Sequence, residues 1–253
     1  SPGHDDPQIT EGAGAQVRSG ATSNLSWAAR TDVGLVRSHN EDSFLVQAPL
    51  FAVCDGMGGA KSGNVASTLA VDVFVQEVKR TWVANMAPDR IDQMLKNAVK
   101  LANFTVFDQA QQFEEFDGMG TTLVAALISG DYATIVNVGD SRAYSITSDD
   151  VRQLTTDHSL VQMMIARGEL TPEKARNYPG KNLITRAIGT ESVVECDIFH
   201  RDLADGECLL LCTDGLSNLV DEQEILFEVV HGLNKQSSSQ RLLEIAKKRG
   251  APD

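Results

Sequence analysis

The chain has 253 residues, of which 42% are hydrophobic and 23% charged. This composition is typical of a folded protein rather than of a disordered or fibrous one. Its 35 acidic and 22 basic residues give a net charge of −13, which repels nucleic acid and anionic membranes. The longest unbroken apolar run, residues 123–128, is far shorter than the ~20 residues of a membrane-spanning helix. We therefore expect no nucleic acid partner and no membrane contact for this chain.

The four cysteines, Cys54, Cys196, Cys208 and Cys212, are expected to be reduced core residues. They lie far apart or on apolar runs and form no CxxC pair. The N-terminus has no basic segment followed by an apolar stretch, so no secretory signal is predicted. We expect a cytoplasmic protein, with a monomer as the default state.

Residues 1–24 are rich in Gly, Ser, Ala and polar residues and lack a hydrophobic period. Such a segment buries too little surface to offset the entropy of ordering, so we expect a flexible linker there. From Leu25 onward the composition is uniform, with no break of linker length. This predicts one domain over residues 25–253.

Short apolar runs rich in β-branched residues predict strands that are buried on both faces. They lie at residues 51–54, 122–128, 133–138 and 208–212, and residues 43–47 are also strand-like. Helical spacing of apolar residues predicts two long adjacent helices, over residues 66–82 and 91–102, with Pro88 between them. Further helices are expected at residues 159–167, 222–230 and 239–248, and a short one is expected to start near residues 171–172. This order predicts an α+β fold in which helices cover packed sheets.

Three of the predicted strands deliver an aspartate at or just past their end: Asp55, Asp140 and Asp214. Glu41 and Asp42 form a fourth acidic element, immediately before residues 43–47. A carboxylate beside a packed apolar strand is costly unless it is paired with a cation. Repeated at several strand ends, the pattern indicates convergence on a hard ion such as Mg²⁺ or Mn²⁺. For each Asp-Gly taken alone, a simple turn is the alternative.

Arg37 lies five residues before Asp42, in an otherwise acidic neighbourhood. Its planar guanidinium is suited to bind a phosphoryl group through two hydrogen bonds while metal ions neutralise the remaining oxygens. The alternative is an ion pair with the adjacent acids.

At this point the sequence resembles a known family, the metal-dependent protein phosphatases, also called type 2C serine/threonine phosphatases, and in particular their compact bacterial branch. The resemblance spans residues 27–253. Its motifs, in order, are residues 37–42 (RSHNED), 55–59 (DGMGG), 119–122 (MGTT), 138–142 (VGDSR), 157–158 (DH), 186–189 (RAIG), 212–216 (CTDGL) and 250–253 (GAPD).

The resemblance implies a four-layer αββα sandwich of two mainly antiparallel sheets, with a centre for two Mn²⁺ or Mg²⁺ ions in a cleft at one end. Residues matched to direct ligands are Asp55, which bridges both ions, the Gly56 carbonyl, Asp214 and Asp253. Glu41 and Asp42 would act through coordinated water or hydrogen bonds. Asp140 matches a position that helps to hold a third ion.

The implied reaction is attack of a metal-bridging hydroxide on the phosphorus of phosphoserine or phosphothreonine, with Arg37 stabilising the phosphoryl oxygens. The implied partners are phosphorylated proteins and a cognate serine/threonine kinase. No arginine stands six residues after any cysteine, which excludes a cysteine-dependent phosphatase. The alternative is a non-catalytic binding or regulatory module of the same fold.

Two further expectations come from the resemblance. Residues 159–182 occupy the position of the family's flap beside the active site, where they either contact a substrate protein or pack on the core. Family members continue past the position of Asp253 with another β-strand, so the domain is expected to be truncated at its C-terminal strand.

Overall fold

The computed structural model of the protein describes residues 10–12, 15–22, 25–232 and 234–252. Its strands are β1 (Thr10–Gly12), β2 (Ala15–Ala21), β3 (Ser26–Asp32), β4 (Asp42–Gln47), β5 (Leu50–Met57), β6 (Gly120–Thr121), β7 (Leu123–Ser129), β8 (Tyr132–Val138), β9 (Arg142–Ile146), β10 (Val151–Gln153), β11 (Asp197–Asp202) and β12 (Cys208–Cys212). Its helices are α1 (Ala60–Thr81), α2 (Pro88–Gln112), α3 (Leu160–Ala166), α4 (Pro172–Ala175), α5 (Asp214–Ser217), α6 (Glu222–His231) and α7 (Lys235–Lys248), with a short 3₁₀ turn at Glu114–Phe116.

The strands pair in antiparallel fashion within three sheets. The central sheet has the order β11-β8-β7-β5-β4, and β6 pairs with the end of β5. The second sheet has the order β10-β9-β12, and the third is the meander β1-β2-β3. The central sheet brings Asp42 of β4 directly opposite Asp55 of β5.

The core has three apolar clusters that separate four layers. Alternate residues of β7 face opposite sides: Leu123, Ala125 and Leu127 pack with α1 and α2, whereas Val124 and Ala126 pack toward β9 and β12. On the other face of the second sheet, Tyr144 and Ile146 of β9 pack with side chains of α6 and α7. The order of layers is therefore helix, sheet, sheet, helix, and the predicted αββα sandwich is confirmed.

The two long helices confirm the prediction from apolar spacing. On α1, Ala66, Phe74 and Val78 are buried, as are Ile91 and the other predicted apolar positions of α2. Pro88 is the first residue of α2 rather than a separate linker residue, a position where its missing N–H costs no hydrogen bond. The helix predicted at residues 239–248 begins earlier, at Lys235, because Asn234 caps it through the Ser237 amide.

The prediction of a linker over residues 1–24 is wrong for much of the described part of that range. Ala15–Ala21 is a strand that pairs along its whole length with Ser26–Asp32. Because the strand contains polar residues and Gly20, its sequence shows no apolar periodicity. The packing comes from Trp27 of the neighbouring strand, which covers Gly20 and contacts Phe51 of β5. Pairing with a neighbouring strand thus orders a sequence that has little apolar surface of its own.

A cavity of about 320 Å³ lies between β3 and β12. Each of these strands is the last of its sheet, with no partner on its outer side among the described residues. Helix α7 closes one side through Leu242 and Ala246, and Lys247 pairs with Asp32 at 3.0 Å.

Among the helices of the described residues, none combines the length and the apolar character that a membrane span requires.

Candidate metal centre and phosphate site

The backbone around Asp55 is fixed by the strand that follows the two long helices. The Asp55 N–H donates to Thr122 Oγ1 at 2.9 Å, and the Thr122 N–H donates back to the Asp55 carbonyl oxygen at 2.9 Å. The Thr121 hydroxyl donates to the same carbonyl at 3.1 Å, and Thr122 Oγ1 lies 2.6 Å from Ser141 Oγ. These contacts hold Asp55 at one end of the sandwich although it faces another acid across the sheet.

Four aspartates from different elements interact electrostatically at this end. Burial raises the pKa of Asp55 well above its usual range, and the charges of Asp42 and Asp214 raise it further. Burial, together with the charges of Asp214 and Asp157, raises the pKa of Asp140 to about 7. Thr213 donates a hydrogen bond of 3.0 Å to Asp42 Oδ2. The fold thus brings Asp42, Asp140 and Asp214 into electrostatic interaction with Asp55, while their binding of metal ions stays a prediction.

The turn that carries Asp140 is held from behind by a buried histidine. Gly139, at φ +109°, donates its N–H to His158 Nδ1 at 2.9 Å, and a Cβ here would lie 2.7 Å from Thr122. Because Nδ1 accepts this bond, the ring proton lies on Nε2, which donates to Asp197 Oδ2 at 2.7 Å. A positive-φ turn and a fixed imidazole therefore set where Asp140 lies.

Glu41 is buried and orients the candidate phosphate-binding arginine. Its carboxylate forms an ion pair with Arg37, and its carbonyl accepts the Gly56 N–H at 3.0 Å. The Glu41 side chain packs against the backbone of α1 at Gly63, where an added Cβ would lie 2.0 Å from Oε2. The alternative expected for Arg37, an ion pair with an adjacent acid, is therefore present, and the pair leaves the Arg37 side chain 39% exposed.

The donor set suits a hard divalent cation, because carboxylate and carbonyl oxygens are the ligands such ions prefer. Burial, and after it repulsion between the carboxylates, raises the pKa of Asp55 and Asp140, and a bound cation would favour their charged forms. Within the described ranges, no three His, Cys, Asp or Glu side chains form a ready-made metal-binding group. Asp253 lies outside the described residues, so its predicted role as a ligand stays a prediction.

Several residues that build the site were not singled out from the sequence. Thr122, Ser141 and His158 lie in motifs that carried the family resemblance, but no pattern in the sequence assigns them a role. Gly63 carried no signal beyond the lower helix propensity of glycine, since only the fold shows that the Glu41 carboxylate approaches its backbone.

Comparison with known proteins identifies the family to which this chain belongs. The model of the family described as "Protein phosphatase 2C" matches residues 36–246. The chain belongs to the protein phosphatase 2C family. A relative from Listeria innocua, named "Serine/threonine phosphatase stp", is 42% identical over 201 residues, which are 78% of this chain and 79% of the relative. The predicted resemblance is thus confirmed, and the chain is a serine/threonine protein phosphatase of the bacterial type.

Solved structures agree with this assignment. The crystal structure of the serine/threonine phosphatase Stp1 from Staphylococcus aureus aligns with a TM-score of 0.83 and 33% identity, covering 94% of this chain and 91% of that one. The catalytic domain of the phosphatase PstP, solved in complex with two manganese ions, aligns with a TM-score of 0.78 and 33% identity, covering 94% and 93%. Proteins of this phosphatase 2C family depend on metal ions, and the PstP structure gives manganese as one such ion.

Proposed function

We propose that this phosphatase hydrolyses phosphoserine and phosphothreonine in proteins with two Mn²⁺ or Mg²⁺ ions bound among its clustered carboxylates. The observation that carries the proposal is the electrostatic coupling of Asp42, Asp55, Asp140 and Asp214 at the end of the sandwich. Isolated Asp-Gly turns would not bring three further acids from other parts of the chain close enough to Asp55 to raise its pKa. The turn alternative therefore does not explain this arrangement.

The residues proposed to hold the ions are Asp55, the Gly56 carbonyl, Asp214 and Asp253, with Glu41 and Asp42 acting through water or hydrogen bonds and Asp140 contributing to a possible third ion. When bound, the ions would supply Lewis-acid chemistry and the bridging hydroxide that attacks phosphorus. Gly56 is kept in place by the hydrogen bond of its N–H to Glu41 and by its strand partner Thr121.

Arg37 is proposed to bind the phosphoryl oxygens of the substrate. Its ion pair with Glu41 orients the guanidinium, and the side chain is 39% exposed, so a phosphate can reach it from solvent. Glu41 thereby limits the orientations of Arg37 before substrate arrives, which reduces the entropy lost on binding.

The proposed partners are phosphorylated proteins and a serine/threonine kinase whose products this enzyme reverses. The cytoplasmic location and the monomeric state expected from the sequence stay predictions. The alternative function, a non-catalytic module of the same fold, would follow only if the protein showed no turnover.

The test is hydrolysis of a phosphothreonine peptide during a Mn²⁺ titration. We expect turnover that requires the ion and is lost in Asp55→Asn, while Asp149→Asn, which removes the same charge from an exposed loop, keeps it. Equal rates with and without Mn²⁺ in a folded protein would contradict the proposal. No turnover in either condition, including with the chain extended beyond Asp253, would favour the non-catalytic module.

A further inference from the structure

A basic segment, residues 159–186, is hydrogen-bonded at two places to elements that carry the clustered carboxylates. At one place, the Thr185 N–H donates to the His158 carbonyl at 2.9 Å, and His158 in turn holds Gly139, next to Asp140. At the other, Asn182 accepts a hydrogen bond of 3.4 Å from Asn218, which ends the helix that begins at Asp214. The C-terminal end of the segment is therefore linked both to the turn that carries Asp140 and to the helix that begins at Asp214.

The charge of the basic segment is opposite to that of the rest of the molecule. It contains five basic and two acidic residues, in a chain with 22 basic and 35 acidic residues. Of these cations, Arg186 is paired with Asp197, at 3.3 Å. The others are Arg167, Lys174, Arg176 and Lys181.

These four cations are available to a partner. Arg167, Lys174 and Arg176 are exposed and Lys181 is half-buried, with its Nζ donating to the Arg176 carbonyl at 3.2 Å. None of the four forms an ion pair with a carboxylate among the residues that the structure describes. Since exposed cations keep their hydration, binding an anionic partner here carries little desolvation cost.

We propose that the basic segment binds acidic residues that flank the phosphorylated residue of the substrate, so that phosphosites in acidic sequence are preferred. This inference rests on the proposed function. A substrate segment rich in carboxylates meets repulsion from a chain of net charge −13, and the basic segment offsets that repulsion where the peptide enters the site. Charges at such a rim act mainly on the rate of capture and on its salt dependence.

The experiment compares two phosphothreonine peptides that differ only in their flanks, glutamate in one and glutamine in the other, with Mn²⁺ present. We expect kcat/KM to be about 10-fold higher for the glutamate peptide at low ionic strength, an estimate for several exposed charge pairs acting together. The ratio should approach 1 in 0.5 M NaCl, because salt screens exposed charges.

The matched variants reverse two charges each. Lys174→Glu with Arg176→Glu should bring the glutamate-to-glutamine ratio to 1 or below, whereas Lys96→Glu with Lys100→Glu, on exposed positions of α2, should leave it unchanged. An equal effect of both pairs would show a response to net charge alone and would overturn the proposal. Milder single variants, Lys174→Gln and Arg176→Gln, give the same comparison if the double reversal lowers stability.

The two proposals fail in different ways. If wild-type protein with Mn²⁺ hydrolyses neither an aryl phosphate nor the glutamine peptide, the proposed function is wrong. If it hydrolyses both but shows no preference for the glutamate peptide, or a preference that salt does not reduce, only the role of the basic segment is wrong.

Discussion

At Gly63 the lack of a side chain determines where a charged group of the site can lie. The Glu41 carboxylate rests against this glycine, and Glu41 in turn holds Arg37. Replacing a helical glycine by alanine normally stabilises a protein by up to about 1 kcal/mol. At Gly63 we predict the opposite sign, because the new Cβ would lie 2.0 Å from Glu41 Oε2. Gly63→Ala should lower the melting temperature and reduce kcat/KM on an aryl phosphate by at least about 10-fold, since a small misplacement of catalytic groups is costly.

The control for this substitution is Asn64→Ala, on the exposed side of the same helix turn. Adding Glu41→Asp to Gly63→Ala shortens the displaced side chain and should recover part of the lost stability. A Gly63→Ala protein that is both more stable and fully active would contradict the assigned contact.

Arg37 provides a second prediction at the residue scale. Lysine keeps the charge but not the planar fork, so Arg37→Lys cannot both pair with Glu41 and form two parallel bonds to a phosphate. We expect kcat/KM to fall by about 100-fold, which is the typical effect of losing a preorganised hydrogen-bond donor to a developing anion. Steady-state kinetics on one phosphopeptide measures this, with Arg18→Lys on β2 as control; equal activity of wild type and Arg37→Lys would contradict the assigned role.

At the scale of elements, α6 shows how a short helix is fixed by its first turn. Asp221 and Glu224 form a capping box, and Glu224 Oε1 also accepts from Arg249 Nη1, beyond the end of α7, at 2.8 Å. The hydrogen bonds and charge of Arg249 lower the pKa of Glu224 to about 2. Because this pKa is depressed in the folded state, the stabilisation is present above the usual glutamate range and is lost as the pH falls through about 2.

Glu224→Gln should therefore melt at a lower temperature than wild type at pH 7, and the difference should shrink as the pH is lowered toward 2. Glutamine keeps the shape of the capping residue, so the comparison isolates the charge. Thermal unfolding followed by circular dichroism measures the difference, with Glu222→Gln as control. A difference that is constant with pH would show that the charge has no part in it.

The elements that the sequence predicted well are those whose own residues are apolar on both faces. β7 and β8 lie between two layers and are therefore apolar along most of their length. The buried faces of α1 and α2 were found from the helical spacing of their apolar residues. β2 and β11 were not predicted, because their order comes from pairing with β3 and β8 rather than from apolar content. At the site, the strand-end acids could be found from the sequence, whereas Thr122 and His158 act through contacts that only the folded chain creates.

At the scale of the whole molecule, repulsion and burial of the clustered carboxylates lower the stability of the metal-free protein. The pKa values of Asp55 and Asp140 are raised, so the folded state binds protons more tightly than the unfolded state does. The metal-free protein should therefore lose stability as the pH rises from the usual aspartate range to about 7 and beyond. Bound cations should reverse this loss.

We predict that saturating Mn²⁺ at pH 8 raises the melting temperature by about 5–10 °C over the protein in EDTA, the shift that a ligand at ~100 times its Kd gives a chain of this size. Asp55→Asn should melt higher than wild type in EDTA and gain little from Mn²⁺. Asp149→Asn, with the same change of net charge, should behave as wild type. A wild-type protein that is equally stable in EDTA and in Mn²⁺ would contradict the assignment.

The cavity between β3 and β12 has a consequence for amide hydrogen exchange. Along each of these strands, alternate N–H groups bond to the single neighbouring strand, and the intervening ones have no strand partner among the described residues. Deuterium uptake resolved by residue should therefore alternate between slow and fast along Ser26–Asp32 and Cys208–Cys212, while β7, paired on both sides, should exchange slowly throughout. The strand that leads to Asp214 would then be protected along one edge only.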